Sequence, residues 1–476
     1  MELWVTAWII SLCCAAGAVV CGLRAGLRWT EMIVFTSMFF PAPLFVAIGG
    51  GNSFVYAFDL TVPVALWLVA ARWSSVPRAA KAVAAWLLVG VSVVPLVLVL
   101  CLAEREHILY AGISLYRLVG AMAVMCAMAV AGTRNRYGSA GIMGAIGWMN
   151  VVLVVATLLQ SQGWINSNVF YSMGNEGSVE ENDSMRYITA GLFRGSLGII
   201  GTLGWVAFLA QAEAGGWRRV GAIAGGAAGG LLIVLCGSKT SLLAAMVTTL
   251  AACLLYPRML RLLWRRLALV LVGLGVVAGV YLYEMDTNYF NYTLGVLGLA
   301  DQSLDTFNYR QERWQEAMDL LRQDPQILLG LATPFGSDRG MAYFHNEYIA
   351  LLMGGGIWSE GAYLLGLVLL GAKLLRRRGE AQPARLFGGL TFIASLIGGA
   401  SVNHVAPGIF FGCTVLLTAC AYGVGLGRPK TPSATDETLA EESEPEPAEL
   451  QPAAQEEFDR PRPRVVPLAQ PESQAP

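Results

Sequence analysis

Long apolar runs dominate this chain and limit what it can fold into. A helix that crosses a bilayer needs roughly 17–25 consecutive apolar residues. Runs of about that length occupy Leu3–Leu23, Met32–Gly50, Phe54–Ala71, Ala82–Ala103, Ile108–Gly132, Gly141–Gln160 and Gly195–Ala212. Others follow at Val220–Cys236, Ser241–Tyr256, Leu267–Tyr283, Ile357–Leu375, Leu386–Val402 and Gly408–Gly425. Only 14% of the residues are charged, against about 25% in soluble domains. The expectation is an all-α, polytopic membrane helix bundle with a large helical external loop. It has about 13 transmembrane helices, range 12–14, because the breaks at Gly50–Ser53 and Gly237–Thr240 are very short.

The N-terminus has no basic leader region, so Leu3–Leu23 reads as a retained helix and not a signal peptide. All nine cysteines lie inside or at the ends of apolar runs. A disulfide scaffold or a zinc site would need them elsewhere, so they read as small packing residues. No basic cluster with interleaved aromatics points to nucleic acid. No Walker loop or dinucleotide fingerprint is present, and no clustered carboxylates suit a divalent metal. No cofactor and no metal is therefore expected.

Lys and Arg set the orientation. Arg24 and Arg28 follow the first span, and Arg72, Arg78 and Lys81 the third. Arg134 and Arg136 follow the fifth, and Arg218 and Arg219 the seventh. Four arginines between Arg258 and Arg266 follow the ninth, and Lys373 with Arg376–Arg378 the eleventh. The odd-numbered connections are thus cytoplasmic, the N-terminus external and the C-terminus internal. The chain divides into N-terminal spans (1–160), a first external loop (161–194), central spans (195–283), a large external loop (284–356), C-terminal spans (357–427) and a disordered cytoplasmic tail (428–476). His107, His345 and His404 all fall on the external side.

The candidate chemistry is on that face. His345 precedes an apolar stripe through Tyr348, Ile349, Leu352 and Gly356, which puts it at the polar end of a helix. It can act as a general base or simply cap the helix at the interface. In the large loop Asn308 can cap a helix, with Gln311 closing the box and Pro325 ending it. Its apolar stripe is Trp314, Ala317, Met318 and Leu321, with Arg310 and Arg313 on or beside it. Two guanidiniums on one face can grip a diphosphate, or pair with Glu312 and Glu316. Arg194 stands where the first external loop enters a span, and can snorkel or hold an anion. Lys239 sits in a tight external break beside a helix N-terminus, which favours anions. Arg117 lies deep in the fifth span with Asp59 as a possible partner. That pair is either structural glue or part of a cavity floor. Glu347 is a weak candidate for orienting anything.

Taken in order, these pieces resemble the O-antigen ligase and polymerase (Wzy-like) superfamily. The matching residues are Phe193-Arg194-Gly195-Ser196, Gly237-Ser238-Lys239-Thr240-Ser241, Arg310 through Ala317, Pro325 through Gly330, and His345-Asn346 with Gly356 after nine intervening residues. The resemblance spans roughly Arg186 to Ile409. Lys239 stands where arginine is common, and Ser359 where glycine is frequent. The resemblance implies a multi-pass inner-membrane glycosyltransferase acting at the periplasmic face. Its donor would be a glycan on undecaprenyl diphosphate, and its acceptor a sugar hydroxyl on another lipid-linked repeat or on lipid A core. His345 would activate the acceptor, and Arg194, Arg310, Arg313 and Lys239 would bind the donor diphosphate. Asn346 and Gly356 would be motif residues. Membrane lipids, a flippase and a chain-length regulator of the same pathway are the implied partners.

A polysaccharide polymerase is the first expectation, from the extra span and the long tail. Ligation to lipid A core is the alternative. A lipid-linked oligosaccharide flippase is more distant, because its charged groups should reach through the bilayer and these crowd one face.

Overall fold

The computed structural model describes residues 2–46, 54–90, 105–134, 138–167, 189–190, 192, 194–211, 216–236, 238–255, 305–329, 346–376, 383–399 and 412–427. Residues 1–429 form one compact unit, and 430–476 are a second unit outside the described residues.

The first unit is an all-α membrane bundle. Its helices are α1 (Glu2–Arg24), α2 (Trp29–Met38), α3 (Ala57–Ala71), α4 (Arg78–Leu88), α5 (Arg105–Arg134), α6 (Gly138–Ser161), α7 (Arg194–Ala210) and α8 (Gly216–Leu235). They continue with α9 (Lys239–Leu255), α10 (Asp305–Gln323), α11 (Glu347–Leu374), α12 (Pro383–Gly399) and α13 (Gly412–Leu426). Among the described residues, five helical stretches are long and apolar enough to span a membrane: Leu3–Arg24, Leu115–Gly132, Ser139–Gln160, Arg218–Leu235 and Gly355–Leu374. α3, α7, α9, α12 and α13 are shorter and also apolar.

The second expected span is not one helix. After Met38 the chain leaves α2 and forms strand β1 (Pro43–Val46), which pairs antiparallel with β2 (Phe54–Tyr56). Pro41 and Pro43 explain the change, since proline lacks the amide hydrogen that a continuing helix needs. The expected span Leu267–Tyr283 lies outside the described residues, as does most of Ala82–Ala103.

Helix surfaces match a lipid solvent. On α9 the exposed side chains are Leu243, Met246, Leu250 and Leu254, one continuous helical stripe. In water such a stripe would demand a partner; in hydrocarbon it needs none. Of the exposed tryptophans, Trp29, Trp73 and Trp164 stand at or beside helix ends, as interfacial anchors do.

Inside the bundle, small residues and polar contacts replace the hydrophobic driving force. α8 packs on α6 and α7 through glycines. A Cβ on Gly225 would lie 2.6 Å from the Cα of Gly147, and one on Gly229 would lie 2.6 Å from the carbonyl of Gly201. Asn150 on α6 donates to Ile200 O on α7 at 3.1 Å.

A charge buried in α5 is paired. Arg117 on α5 donates to both carboxylate oxygens of Asp59 on α3, Nε–Oδ1 2.8 Å and Nη2–Oδ2 2.7 Å. The guanidinium is 3% exposed. It stands over the rings of Tyr56 and Phe58, at 5.2 and 5.6 Å. The backbone N–H of Tyr56 donates to Asp59 Oδ2 at 2.9 Å. Two charges with this many bonds can survive desolvation, while either alone cannot. We expect Asp59→Ala to cost about 3–5 kcal/mol by stranding Arg117. Asp59→Leu combined with Arg117→Leu should recover most of that loss. Thermal unfolding in detergent measures both; equal losses in the two variants would show that the pair does more than close on itself.

Candidate functional site

The site is built where three helices begin. α7 starts at Arg194, α9 at Lys239 and α11 at Glu347. Residues beside all three starts line one cavity of about 120 Å³. Gly195 lines it from α7; Ser238, Thr240 and Ser241 line it from the start of α9; Glu347 and Tyr348 line it from α11. The first turn of a helix carries backbone N–H groups without intrahelical acceptors and is the positive end of its dipole. Three such ends around one space favour a negatively charged group there.

Local chemistry explains each start. Ser238 caps α9, accepting from Ser241 N at 3.3 Å, and its hydroxyl meets the Ser241 hydroxyl at 2.8 Å. A Cβ on Gly198 would lie 2.4 Å from Ser241 Oγ, so glycine there lets the first turns of α7 and α9 touch. At α11, Asn346 is the N-cap: its Oδ1 accepts from Tyr348 N at 3.0 Å and Ile349 N at 3.1 Å. The helix therefore begins after His345, and the expected stripe starts at Tyr348. The capping role belongs to Asn346.

α11 is two helical arms. Gly356 has φ 67° and ψ −167°, a region that glycine alone adopts readily. On a straight helix Glu347 and Tyr363 would stand about 24 Å apart. Here Tyr363 Oη donates to Glu347 Oε1, and the Tyr348 and Tyr363 rings lie 6.5 Å apart. The first arm thus folds back beside the second. Leu351 on the first arm packs with Leu118 of α5 and with Tyr363. Ser359 donates to the carbonyl of Gly90, which ties the second arm to the end of α4.

The arginine helix sits on the first arm. Ala317 of α10, Ile327 of the following 3-10 turn (Pro325–Leu329), and Ala350 and Met353 of α11 form one small core. The helix starts at Asp305, three residues before Asn308, so Asn308 lies inside it and not at its cap. Met318, expected on the buried stripe, is exposed; Leu320 joins Leu321 and Ala317 instead. Arg313 is half-buried one turn before Ala317, and position 310 falls another turn back on the same stripe. Arg313 Nη1 pairs with Glu316 Oε2 at 2.8 Å.

Of the expected site residues, the structure describes Arg313, Asn346, Gly356, Arg117 and Asp59 in full. His345 lies outside the described residues, as do the side chains of Arg194, Lys239 and Arg310. Arg117 and Asp59 hold each other between α3 and α5, while Leu118 and Met122 are the α5 residues that line the cavity.

Glu347 was undervalued. It is 2% exposed, lines the cavity and holds Tyr363. A carboxylate in the first turn after a His-Asn pair was the available sequence signal. Tyr363 left none, because only the fold-back brings it there. Tyr348 donates to Leu396 O at 3.4 Å. Its phenol is pushed up, chiefly by burial and then by the carboxylates of Glu347 and Glu360, so it stays a neutral donor.

Residues 224–364 match a family model described as O-antigen ligase. The matched stretch runs from α8 through α9 and α10 to just past Tyr363. It includes Lys239, both loop arginines, His345, Asn346 and the break at Gly356. Arg194 and the Arg117–Asp59 pair lie outside it. No curated protein matches the chain.

We expect Gly356→Ala to cost about 1–3 kcal/mol of stability, since alanine strains at this φ/ψ. In a cysteine-free background, cysteines at positions 348 and 363 should cross-link readily, and more slowly once Gly356→Ala is added. Equal cross-linking rates would show that the break is not what folds the arms together.

Proposed function

We propose that the protein is a bacterial inner-membrane glycosyltransferase of surface-polysaccharide assembly. It takes a glycan from undecaprenyl diphosphate at the periplasmic face and joins it to a sugar hydroxyl, acting as a polysaccharide polymerase. The observation that carries this reading is the convergence of the α7, α9 and α11 starts on one cavity, with the arginine helix docked on the first arm of α11.

The roles follow from the chemistry. The acceptor oxygen attacks the anomeric carbon, the bond from that carbon to the diphosphate oxygen breaks, and the lipid diphosphate leaves. His345 takes the hydroxyl proton. Arg194, Lys239, Arg310 and Arg313, with the helix N-termini, offset the charge that develops on the leaving diphosphate. Leu203, Leu367 and Val415 give the cavity an apolar side that suits a lipid chain. Asn346 fixes where α11 begins, and so where His345 stands. The large external loop, 284–356, carries the machinery, and the spans on either side hold it at the membrane surface. Ligation to lipid A core is the second reading, favoured by the description of the matched family. It needs the same donor chemistry and a different acceptor.

In a complemented deletion strain, His345→Ala should lower polymer formation by about 10²–10⁴-fold, the usual weight of a general base. Lipid-linked precursor should then collect at the periplasmic face. Arg310→Ala and Arg313→Ala together should cost at least about 10²-fold. Precursor held on the cytoplasmic side would instead indicate a flippase, and full activity in the double arginine variant would remove the diphosphate clamp.

A further inference from the structure

Two kinds of group line the cavity. The starts of α7 and α9 bring Ser238 and Ser241 to it. α11 brings Glu347, which is almost fully buried. Helix N-termini favour anionic groups. A carboxylate is an acceptor and suits a neutral ligand group that donates hydrogen bonds.

Two further observations point the same way. Thr391 of α12 lines the cavity, is 1% exposed, and its hydroxyl has no hydrogen-bond partner among the described residues. Buried hydroxyls are normally satisfied, so an orphan facing a cavity marks a place for a ligand group. Around Glu347 stand two phenols, Tyr348 and Tyr363, offering ring faces as well as hydroxyls. A Cβ on Gly399 would come within 3.2 Å of Glu347 Oε2 and 3.4 Å of Tyr348 Oη, so glycine there keeps space for both groups.

We infer that Glu347, Tyr348 and Thr391 form a carbohydrate subsite that binds hydroxyls of the sugar next to the donor diphosphate. The assignment rests on the proposed lipid-diphosphate donor and deepens it. Glu347 accepts from sugar hydroxyls, Thr391 offers a donor or acceptor, and the Tyr348 ring covers one face of the sugar. Tyr363 holds the carboxylate in place from the second arm of α11, as a positioning residue. Sites that hydrogen-bond a hydroxyl discriminate strongly against ligands that lack it, because the buried polar groups are left unpaired. The subsite would therefore set which first sugar the enzyme accepts.

Binding to the full-length protein in detergent tests this. The probes are polyprenyl diphosphate alone and a panel of one-sugar polyprenyl diphosphates bearing glucose, galactose, N-acetylglucosamine or N-acetylgalactosamine. The wild type should bind at least one sugar-bearing lipid about tenfold or more tighter than the bare diphosphate. Glu347→Gln and Thr391→Val should each shrink that gap by about tenfold or remove it; bare-diphosphate affinity should hold within about twofold in Thr391→Val and should not fall in Glu347→Gln. Thr391→Val keeps the side-chain shape, and it decides the matter if Glu347→Gln fails to fold. A wild type that binds bare and sugar-bearing lipids alike overturns the subsite and leaves the donor reading standing. Equal weakening of both classes of lipid, or an unchanged gap in the variants, overturns it too. A wild type that binds neither overturns the donor reading, and the subsite falls with it.

Discussion

The site depends on a backbone break that only glycine tolerates well. Gly356 lets a segment of nine residues, Glu347–Gly355, turn back against the helix that follows it. Without the turn, Glu347 and Tyr348 would be carried about 24 Å from Tyr363. With it, they share a cavity wall with Thr391. A break of this kind has a cost in a membrane protein, because backbone groups freed from the helix need partners. It is tolerated where the broken backbone is buried in protein or lines a cavity, and Gly356 is buried.

The same rule governs the rest of the bundle. Several polar groups inside it meet a partner from another segment. Arg117 has Asp59, Asn150 has the Ile200 carbonyl, and Thr157 has Thr189 at 3.0 Å. Thr391 departs from that pattern, and it lies on the cavity. Close glycine contacts bring α6, α7 and α8 together, and the Gly198–Ser241 approach brings α7 and α9 to one point. Packing therefore collects the helix starts, and the collected starts create the positive end of the site.

Much of the fold was legible in the chain. Apolar length and charge spacing mark where helices lie, because lipid admits few other structures. The exceptions are informative. Met32–Gly50 reads as a span by hydropathy, but its prolines end α2 and a hairpin follows. Asn308 reads as a cap, but α10 starts at Asp305, so Asn308 lies within the helix. On that helix the buried stripe was misplaced by Met318, since which flank of a stripe is covered depends on the partner, here the 3-10 turn and α11.

The sequence by itself determined an all-α membrane bundle, an Arg-bearing helix and the His-Asn motif with a glycine after nine intervening residues. Those are matters of hydropathy, helical period and spacing, which are local. The tertiary structure decided that Arg117 belongs to Asp59 and that Glu347 lines the cavity beside Tyr363. Each is a contact across helices or across a reversal of the chain. Helical periodicity cannot report such contacts, because a single residue at positive φ resets the direction of everything after it.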